Sequence, residues 1–354
     1  MNTITLSQAA TLIRTVGSTN TLLLRGTPGI GKSSILNTLA RELPDYAMCY
    51  IDVANLDLGD LGMPVIDRDT MTTAYAPNTR FGVGRNQNKP VVLMLDELGK
   101  ASRPVLNMLL PVILEHRIGD VPLPTGSIVF GTTNLDTDGV GDNIPAHAYN
   151  RMTVVNIANP TVDEWLNWAS NNDIAPEVMA FAKQYPQVFD CYADSDKDTK
   201  NPYIFNPMNG NVRAFCSPRS LAKASNIVKQ RDILGSATLT ALIGTVGEAA
   251  ARDMEALIHL ADQLPLFENI VRDPANTKLP DGAGAMFILA FMLAGRVNKD
   301  SIDSVMEYME RVARVSFEAH ALFMTTVCSN PSKVSMACMN KKFTTQAAKL
   351  GKYF

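Results

Sequence analysis

The sequence lacks paired cysteines, long apolar segments and a strong excess of either charge. Its five cysteines and four histidines are scattered, without a CxxC pair, which argues against a disulfide framework or a zinc site. A net charge of −3 gives no overall case for a nucleic-acid partner. The amino terminus does not resemble a signal peptide, and the longest apolar run, 283–295, is too short to span a bilayer. We therefore expect a cytoplasmic protein with no membrane partner, and a buried helix at 283–295.

The first half of the chain alternates short apolar runs with helical patterns. The 354 residues are 46% apolar and 19% charged, which suits a globular protein of two or three domains rather than a disordered chain. The apolar runs predict buried strands at 21–24, 49–53, 91–95, 128–131 and 153–157. Helical patterns lie between several of them, at 32–42 and 103–115. Strands that alternate with helices predict an α/β fold with a parallel sheet covered on both faces.

The second half, after Pro160, contains only helical patterns. Residues 161–164 form a capping-box sequence, which predicts the start of a helix. An insertion rich in Asp, Asn and Pro follows at about 189–212. Its stretch 194–198 starts like a calcium loop but lacks the glycine and the glutamate of an EF-hand, so we interpret it as a solvated acidic loop. Apolar residues recur at helical spacing over 239–265.

One motif between the first predicted strand and the first helix predicts phosphate binding. Residues 26–33 match the pattern G-x-x-x-x-G-K-[ST]. Glycines let backbone N–H groups turn toward phosphates, and a helix N-terminus favours negative charge. Lys32 would reach the β- and γ-phosphates, and the Ser33 hydroxyl would join a magnesium shell. The residues expected to hold ATP with Mg2+ are Gly26, Thr27, Pro28, Gly29, Ile30, Gly31, Lys32, Ser33 and Ser34. The alternative is a glycine-rich turn that matches by chance.

Two further apolar strands end in polar residues. Residues 91–97 run from an apolar strand into Asp96 and Glu97. Asp96 would coordinate magnesium, directly or through water, and Glu97 would orient and activate the attacking water. Residues 128–134 end in Asn134, which could hold that water near the γ-phosphate. The alternative in each case is an ordinary strand end with solvated polar side chains.

The order of P-loop, acidic strand and polar strand resembles the AAA+ ATPases, and further details resemble the MoxR branch, which includes RavA and CbbQ. Residues 56–65 resemble the stretch that follows the second strand in that branch. Residues 96–101 (DELGKA) and 216–220 (CSPRS) resemble its acidic-strand and lid motifs. Gly99 and Lys100 depart from the usual Asn and Arg. The resemblance covers about 5–262.

The resemblance implies two parts and several site residues. It implies a P-loop NTPase (AAA+) core with a parallel sheet over 1–158 and a helical lid over 159–265. Residues 266–354 lie outside the resemblance, and their helical pattern predicts a helical C-terminal extension. Asn134 would be sensor 1, and Arg219 would be sensor 2, reaching the γ-phosphate from the lid. Arg151 would be an arginine finger that reaches the γ-phosphate bound by a neighbouring subunit. This role implies a homo-oligomer, which in this family is a hexameric ring.

The resemblance also implies a role in remodelling a protein client or adaptor, often one with a von Willebrand A domain. Two other classes stay open: a nucleic-acid motor and a nucleotide-dependent assembly scaffold. The motor would use five lysines beyond Glu318, although a solvated tail is the simpler interpretation and nucleic acid is not favoured. Those lysines are Lys333, Lys341, Lys342, Lys349 and Lys352. Residues 115–124 resemble a loop or hairpin that can face the pore in related rings, and Tyr75 and Phe81 are further aromatic candidates.

Overall fold

The computed structural model describes residues 3–84, 89–135, 144–192, 201–206 and 214–351. The chain divides into two compact units, Met1–Asn159 and Pro160–Phe354. The acidic stretch 194–198, which we interpret as a solvated loop, lies outside the described residues, as does Lys352. Each unit has its own fold and its own core.

The first unit is built on a six-stranded parallel sheet. The described strands of the whole unit, six in this sheet and four in separate hairpins, are β1 (Thr3–Ile4), β2 (Leu22–Arg25), β3 (Ala47–Asp52), β4 (Gly62–Asp67), β5 (Thr72–Pro77), β6 (Val91–Asp96), β7 (Arg117–Ile118), β8 (Val121–Pro122), β9 (Ile128–Thr133) and β10 (Thr153–Ile157). The strand order in the sheet is β1-β10-β2-β9-β6-β3, and every neighbouring pair is parallel. The predicted α/β class is confirmed, and the five predicted strands are found to within two residues at each end. β1 was not predicted, because two residues are too few to show a periodic pattern.

Helices cover both faces of this sheet. The described helices of the unit are α1 (Leu6–Val16), α2 (Ile35–Glu42), α3 (Arg103–Glu115) and α4 (Ala146–Tyr149). Side chains alternate along each strand, so Met94 packs with α1 and α2 on one face while Leu93 and Leu95 pack with α3 on the other. Burial on both faces explains why these strands are almost continuously apolar.

Two antiparallel hairpins interrupt the α/β order. β7 pairs with β8, which confirms a hairpin within 115–124. β4 pairs with β5 from Gly62↔Pro77 to Asp67↔Thr72, and this hairpin was not predicted. Its side chains are largely exposed, Tyr75 among them. Phe81 is fully buried, which fits a core aromatic rather than a side chain that faces a pore.

The second unit is helical. Its described helices are α5 (Val162–Ser170), α6 (Pro176–Gln184), α7 (Pro218–Lys229), α8 (Arg231–Leu234), α9 (Ala237–Val246), α10 (Glu248–Ala261), α11 (Phe267–Arg272), α12 (Ala283–Arg296), α13 (Ile302–Val315), α14 (Phe317–Cys328), α15 (Pro331–Met339) and α16 (Lys341–Leu350). The predicted capping box is present: the Thr161 hydroxyl accepts from the Glu164 N–H, and the Glu164 carboxylate accepts from the Thr161 N–H. This reciprocal pair fixes the start of α5.

The periodic segment 239–265 is two helices, not one. α9 and α10 are separated by Gly247, which has φ +88°. A Cβ at Gly247 would lie 2.8 Å from the carbonyl oxygen of Ala214, so the close approach of two backbone segments requires a glycine there. The apolar spacing continues across the break, which is why periodicity alone did not reveal it.

One apolar core runs through the second unit. The helix predicted at 283–295 is α12, and most of its side chains are buried in this core. Among the described residues, no helix has the length and apolarity needed to cross a membrane. The same core contains Leu221 from the predicted lid and Phe323 from the predicted extension. The division into a lid over 159–265 and an extension over 266–354 therefore cuts through one packed unit, and as a functional division it stays a prediction.

The lysine-rich C-terminal segment is folded rather than a free tail. It forms α15 and α16, and Phe343 is buried in the core of the second unit. The Lys333 ammonium donates to the Ala294 carbonyl oxygen at 2.6 Å, at the end of α12. Lys342 forms an ion pair with Glu307. Two of the lysines considered as a nucleic-acid footprint are thus engaged within the protein.

Replacing Phe343 by alanine should destabilise the second unit by about 3 kcal/mol, because a buried phenylalanine would leave a cavity. Both tryptophans of the chain, Trp165 and Trp168, lie in this unit, so their fluorescence during urea unfolding reports on it. Lys349→Ala, at an exposed position of the same helix, is the matched control and should unfold like the parent. An unchanged midpoint for Phe343→Ala would mean that α16 does not contribute to the core.

Candidate nucleotide site

The predicted P-loop connects β2 to α2 at the carboxyl edge of the sheet. Gly29 and Gly31 have φ of +81° and +108°, conformations that residues with a Cβ rarely adopt. The Ile30 side chain lies in the core between the sheet, α1 and α2, so it anchors the loop. Residues Lys32–Ser34 form a 3-10 turn that leads into α2. The loop is therefore folded back on itself ahead of a helix N-terminus, the arrangement that binds phosphate.

Lys32 and Asn134 lie side by side at this edge. The Lys32 ammonium donates to the carbonyl oxygens of Gly26 at 2.5 Å and Thr27 at 3.0 Å, and to Asn134 Oδ1 at 3.1 Å. The two residues meet because β2 and β9 are neighbouring parallel strands whose carboxyl ends share one edge. The lysine is thereby held across the mouth of the loop.

Asp96 is the centre of a cluster of hydroxyl groups. Only 8% of the residue is exposed. Its Oδ2 accepts from Ser33 Oγ at 3.0 Å and from the Tyr50 hydroxyl at 2.8 Å, and its Oδ1 accepts from the Thr132 hydroxyl. Three hydroxyl donors satisfy the buried carboxylate and fix its plane. Ser33 and Asp96, the two predicted magnesium ligands, are in direct contact.

Tyr50 and Thr132 were missed by the sequence analysis. Thr132 lies two residues before Asn134, so its place at the end of a predicted strand was a usable signal. Tyr50 lies opposite Met94 in the β3–β6 register, and Asp52 lies opposite Asp96. This register places Tyr50 on the same face as Asp96, but a sequence does not show which strands are neighbours. Partial burial raises the pKa of the half-exposed Tyr50 to about 12, helped by its hydrogen bond to Asp96 and by nearby carboxylates, so its hydroxyl stays protonated at neutral pH.

Glu97 has a different environment from its neighbour Asp96. Its backbone is left-handed, with φ +55° and ψ +40°, and its N–H donates to the Thr132 hydroxyl at 3.2 Å. This conformation is uncommon for a residue with a side chain and is held by its surroundings. The Glu97 carboxylate forms an ion pair with Lys100 at 2.5 Å, and both side chains are more than a third exposed. A pair this exposed contributes about 0–1 kcal/mol, so the carboxylate can exchange partners.

Arg151 lies at the opposite edge of the sheet from the P-loop. It precedes β10, whose Thr153 pairs with Leu22 at the start of β2. The loop follows Arg25 at the other end of β2. Four paired residues separate the two edges, about 10 Å at roughly 3.3 Å per residue. Arg151 is exposed and is not part of the cluster around Lys32.

Arg219 belongs to the second unit. It lies in the first turn of α7, where the Ser217 hydroxyl accepts from the Ser220 N–H and Pro218 occupies the first helical position. The predicted helix start is confirmed, and Arg219 is exposed. Its role as sensor 2 stays a prediction.

The residues present fit magnesium nucleotide. A hydroxyl and a carboxylate in contact, Ser33 and Asp96, are hard oxygen ligands of the type that Mg2+ prefers. The part of the chain that the structure describes has no group of three or more His, Cys, Asp or Glu side chains that could hold a metal. Mg2+ bound with a nucleotide needs no such group, because phosphates and water complete its shell. The P-loop would supply the backbone turn and the Lys32 ammonium for the phosphates.

Comparison with known families agrees with this geometry. Residues 22–156 match the model of AAA, the ATPase family associated with various cellular activities. The match covers less than half of the chain and extends from β2 into β10, so it includes five of the six strands of the sheet and the residues around the P-loop. The first unit thus contains an AAA domain with the P-loop NTPase fold. The family model describes AAA proteins as a whole, and membership of the MoxR branch stays a prediction.

Solved structures show only distant similarity, some over about half of the chain and some over most of it. One is a candidate ATPase from Cytophaga hutchinsonii, at 20% identity and a TM-score of 0.35, where the match covers 47% of this chain and 50% of that one. This chain therefore spans about half the length of that protein. Another is the RuvB Holliday junction branch migration motor of Thermotoga maritima, at 19% identity, 87% coverage of each chain and a TM-score of 0.39. A point mutant of the same RuvB matches at 17% identity, 90% and 85% coverage, and a TM-score of 0.38. No curated protein matches the sequence.

Proposed function

We propose that this chain binds ATP with Mg2+ at the P-loop and hydrolyses it. One observation carries the proposal: Ser33 lies against Asp96 at 3.0 Å, and Lys32 lies against Asn134 at 3.1 Å, at the same sheet edge. Lys32 and Ser33 come from the loop, and Asp96 and Asn134 from the ends of two separate strands, β6 and β9. A chance glycine-rich turn would not require a carboxylate and an amide from other strands to meet it.

Each residue has a distinct part in the proposed reaction. Magnesium nucleotide, when bound, supplies the γ-phosphoryl group and a cation that neutralises its charge. Ser33 and Asp96 would hold the cation, and Lys32 would turn from the Gly26 and Thr27 carbonyls toward the phosphates. Backbone N–H groups of the loop would hold the phosphate oxygens.

Glu97 would act on water. Its carboxylate is exposed and paired only weakly with Lys100, so it can turn to accept a proton from a water that attacks the phosphorus. Asn134, next to Lys32, would hold that water in line. The hydrogen bond from the Glu97 N–H to the Thr132 hydroxyl holds the Glu97 backbone in place, while the side chain would remain able to turn toward the water.

Glu97→Gln should lower kcat at least about 100-fold, because a general base of this kind contributes about 10²–10⁴-fold. Its affinity for ATP should stay within about threefold of the parent, because the amide keeps the shape of the side chain. ATPase assays and nucleotide titration measure both quantities, with Lys32→Ala as the variant that loses binding. Glu42→Gln, at an exposed ion pair of the same unit, is the matched control. Unchanged turnover in Glu97→Gln would remove Glu97 from the mechanism.

We further propose that the active form is a homo-oligomeric ring, hexameric as the resemblance implies, in which Arg151 acts on a neighbour's nucleotide. Arg151 is exposed and lies at the sheet edge opposite its own P-loop. An arginine so placed reaches a γ-phosphate only by contacting another copy of the chain. It would stabilise charge that develops in the transition state.

Two inactive variants should restore each other if this arrangement is correct. Arg151→Ala should lose at least about 100-fold in turnover, because an arginine finger contributes about 10³–10⁵-fold. Lys32→Ala keeps its Arg151 but binds no nucleotide. Mixed rings would place an intact Arg151 beside an intact P-loop, so part of the ATPase activity should return on mixing.

Arg41→Ala, an exposed arginine of the same unit, serves as the matched control and should keep its turnover. Full activity of Arg151→Ala alone would contradict the finger assignment. No recovery in mixtures, with co-assembly shown by light scattering or cross-linking, would mean that Arg151 does not act between subunits.

For the output, we propose remodelling of a protein client or adaptor, with a von Willebrand A-domain protein as the class that the resemblance suggests. Arg219 would couple the helical unit to the nucleotide from its place in the first turn of α7. A nucleic-acid motor is the alternative. The feature that favoured a motor was the set of lysines near the C-terminus. Lys333 and Lys342 of this set contact other residues of the second unit, which weakens the case for a nucleic-acid motor.

Affinity capture with Glu97→Gln separates these outputs, because this variant should hold ATP without cleaving it. A discrete protein retained by Glu97→Gln and not by Lys32→Ala is the expected result. The bound material is identified by mass spectrometry before and after nuclease treatment. Retention that nuclease abolishes would overturn the protein-client proposal and favour the motor.

A further inference from the structure

The Tyr50 hydroxyl points at the carboxylate of the proposed magnesium site. Its distance to Asp96 Oδ2 is 2.8 Å. Tyr50 lies opposite Met94, two residues before Asp96 on the neighbouring strand. Side chains two residues apart on a strand share a face, and a tyrosine is long enough to span this diagonal. The contact is therefore a consequence of strand register and does not depend on a loop.

The position of Tyr50 in the fold does not suit a purely packing role. Its strand neighbours Cys49 and Ile51 are buried on the opposite face of β3, whereas Tyr50 is 50% exposed. A half-exposed ring contributes little to a core. The Tyr50 ring instead places its hydroxyl against the buried Asp96 carboxylate, at the sheet edge where nucleotide would bind.

The carboxylate uses this hydroxyl together with two others. Asp96 Oδ2 accepts from both Ser33 and Tyr50, and Oδ1 accepts from Thr132. A cation that took the Ser33 and Asp96 oxygens as ligands would compete with the hydrogen bond between these two residues. Tyr50 and Thr132 would still donate, one to each carboxylate oxygen, and would keep the carboxylate from rotating. Hydrogen bonds of this kind orient metal ligands and typically change metal affinity 10–100-fold.

We propose that Tyr50 is a positioning residue for Mg2+, whose hydroxyl holds the Asp96 carboxylate in the orientation that the ion requires. The inference rests on the proposed nucleotide site. It adds a residue from β3, a strand that no motif of the sequence connects with the P-loop. Tyr50 touches Asp96 rather than the substrate, so its effect should be seen in the Mg2+ dependence of binding and not in nucleotide binding as such.

Tyr50→Phe removes this hydroxyl and nothing else. Affinity for a fluorescent non-hydrolysable ATP analogue is titrated with Mg2+ and with EDTA. In the parent, Mg2+ should tighten binding; in Tyr50→Phe that gain should be about tenfold smaller, the lower end of the range for such contacts, because the residue is half exposed. Affinity in EDTA should stay within about twofold. The Mg2+ concentration for half-maximal ATPase activity should rise by a similar factor.

Tyr46→Phe is the matched control, because Tyr46 immediately precedes β3 at the opposite end of that strand. It should behave as the parent in both titrations. A Mg2+ gain in Tyr50→Phe equal to that of the parent would overturn the inference. A loss of affinity in EDTA as large as that in Mg2+ would also overturn it, since it would indicate a structural role.

Lys32→Ala separates this inference from the proposed function. If the parent binds the analogue, Lys32→Ala does not, and Tyr50→Phe matches the parent, only the role of Tyr50 is wrong. If the parent and Lys32→Ala give the same titration, the nucleotide site is wrong and the role of Tyr50 falls with it.

Discussion

The candidate site depends on the common direction of the strands. Because β2, β6 and β9 are parallel neighbours, their carboxyl ends meet at one edge, and whatever follows each strand is brought together there. The P-loop follows β2, Glu97 follows β6 and Asn134 follows β9. The strands themselves are buried on both faces, so polar chemistry is confined to this edge. Asp96, the last residue of β6, is the place where the apolar core meets the polar edge.

Two adjacent carboxylates, Asp96 and Glu97, receive opposite environments from this arrangement. Burying a carboxylate is costly unless donors satisfy it, and Asp96 has hydroxyl donors on both oxygens. Such a group keeps its position and suits a metal ligand. Glu97 stands just beyond the end of the strand, in a left-handed turn, with an exposed and weakly paired side chain. A group of this kind can reorient and accept a proton, so the proposed metal ligand and the proposed base are adjacent residues with opposite environments.

Strands and the phosphate loop were predictable because local sequence patterns determine them. Contacts that depend on which segments of the chain are neighbours in the fold were not predictable. Near-continuous apolar runs identified the central strands, and the spacing of Gly26, Gly31 and Lys32 identified the phosphate loop. Tyr50 could not be predicted as a site residue, because Asp96 lies more than forty residues away and neither strand's sequence indicates that β3 pairs with β6. The break at Gly247 was hidden for a related reason, since the backbone that demands a glycine comes from Ala214. The β4–β5 hairpin escaped notice because its side chains are exposed on both faces and leave no alternation to detect.

The direction of the sheet also bears on assembly. A parallel sheet has two unlike edges, and Arg151 lies at the amino edge while the P-loop lies at the carboxyl edge. For Arg151 to reach a nucleotide, the amino edge of one copy must face the carboxyl edge of the next. Such contacts join two different surfaces, and repeated head to tail they close into a ring or extend into a filament. A two-fold symmetric dimer would bring like surfaces together and would not generally present Arg151 to a phosphate. In the proposed assembly, a ring of identical subunits would let every copy both bind nucleotide and supply Arg151 to its neighbour.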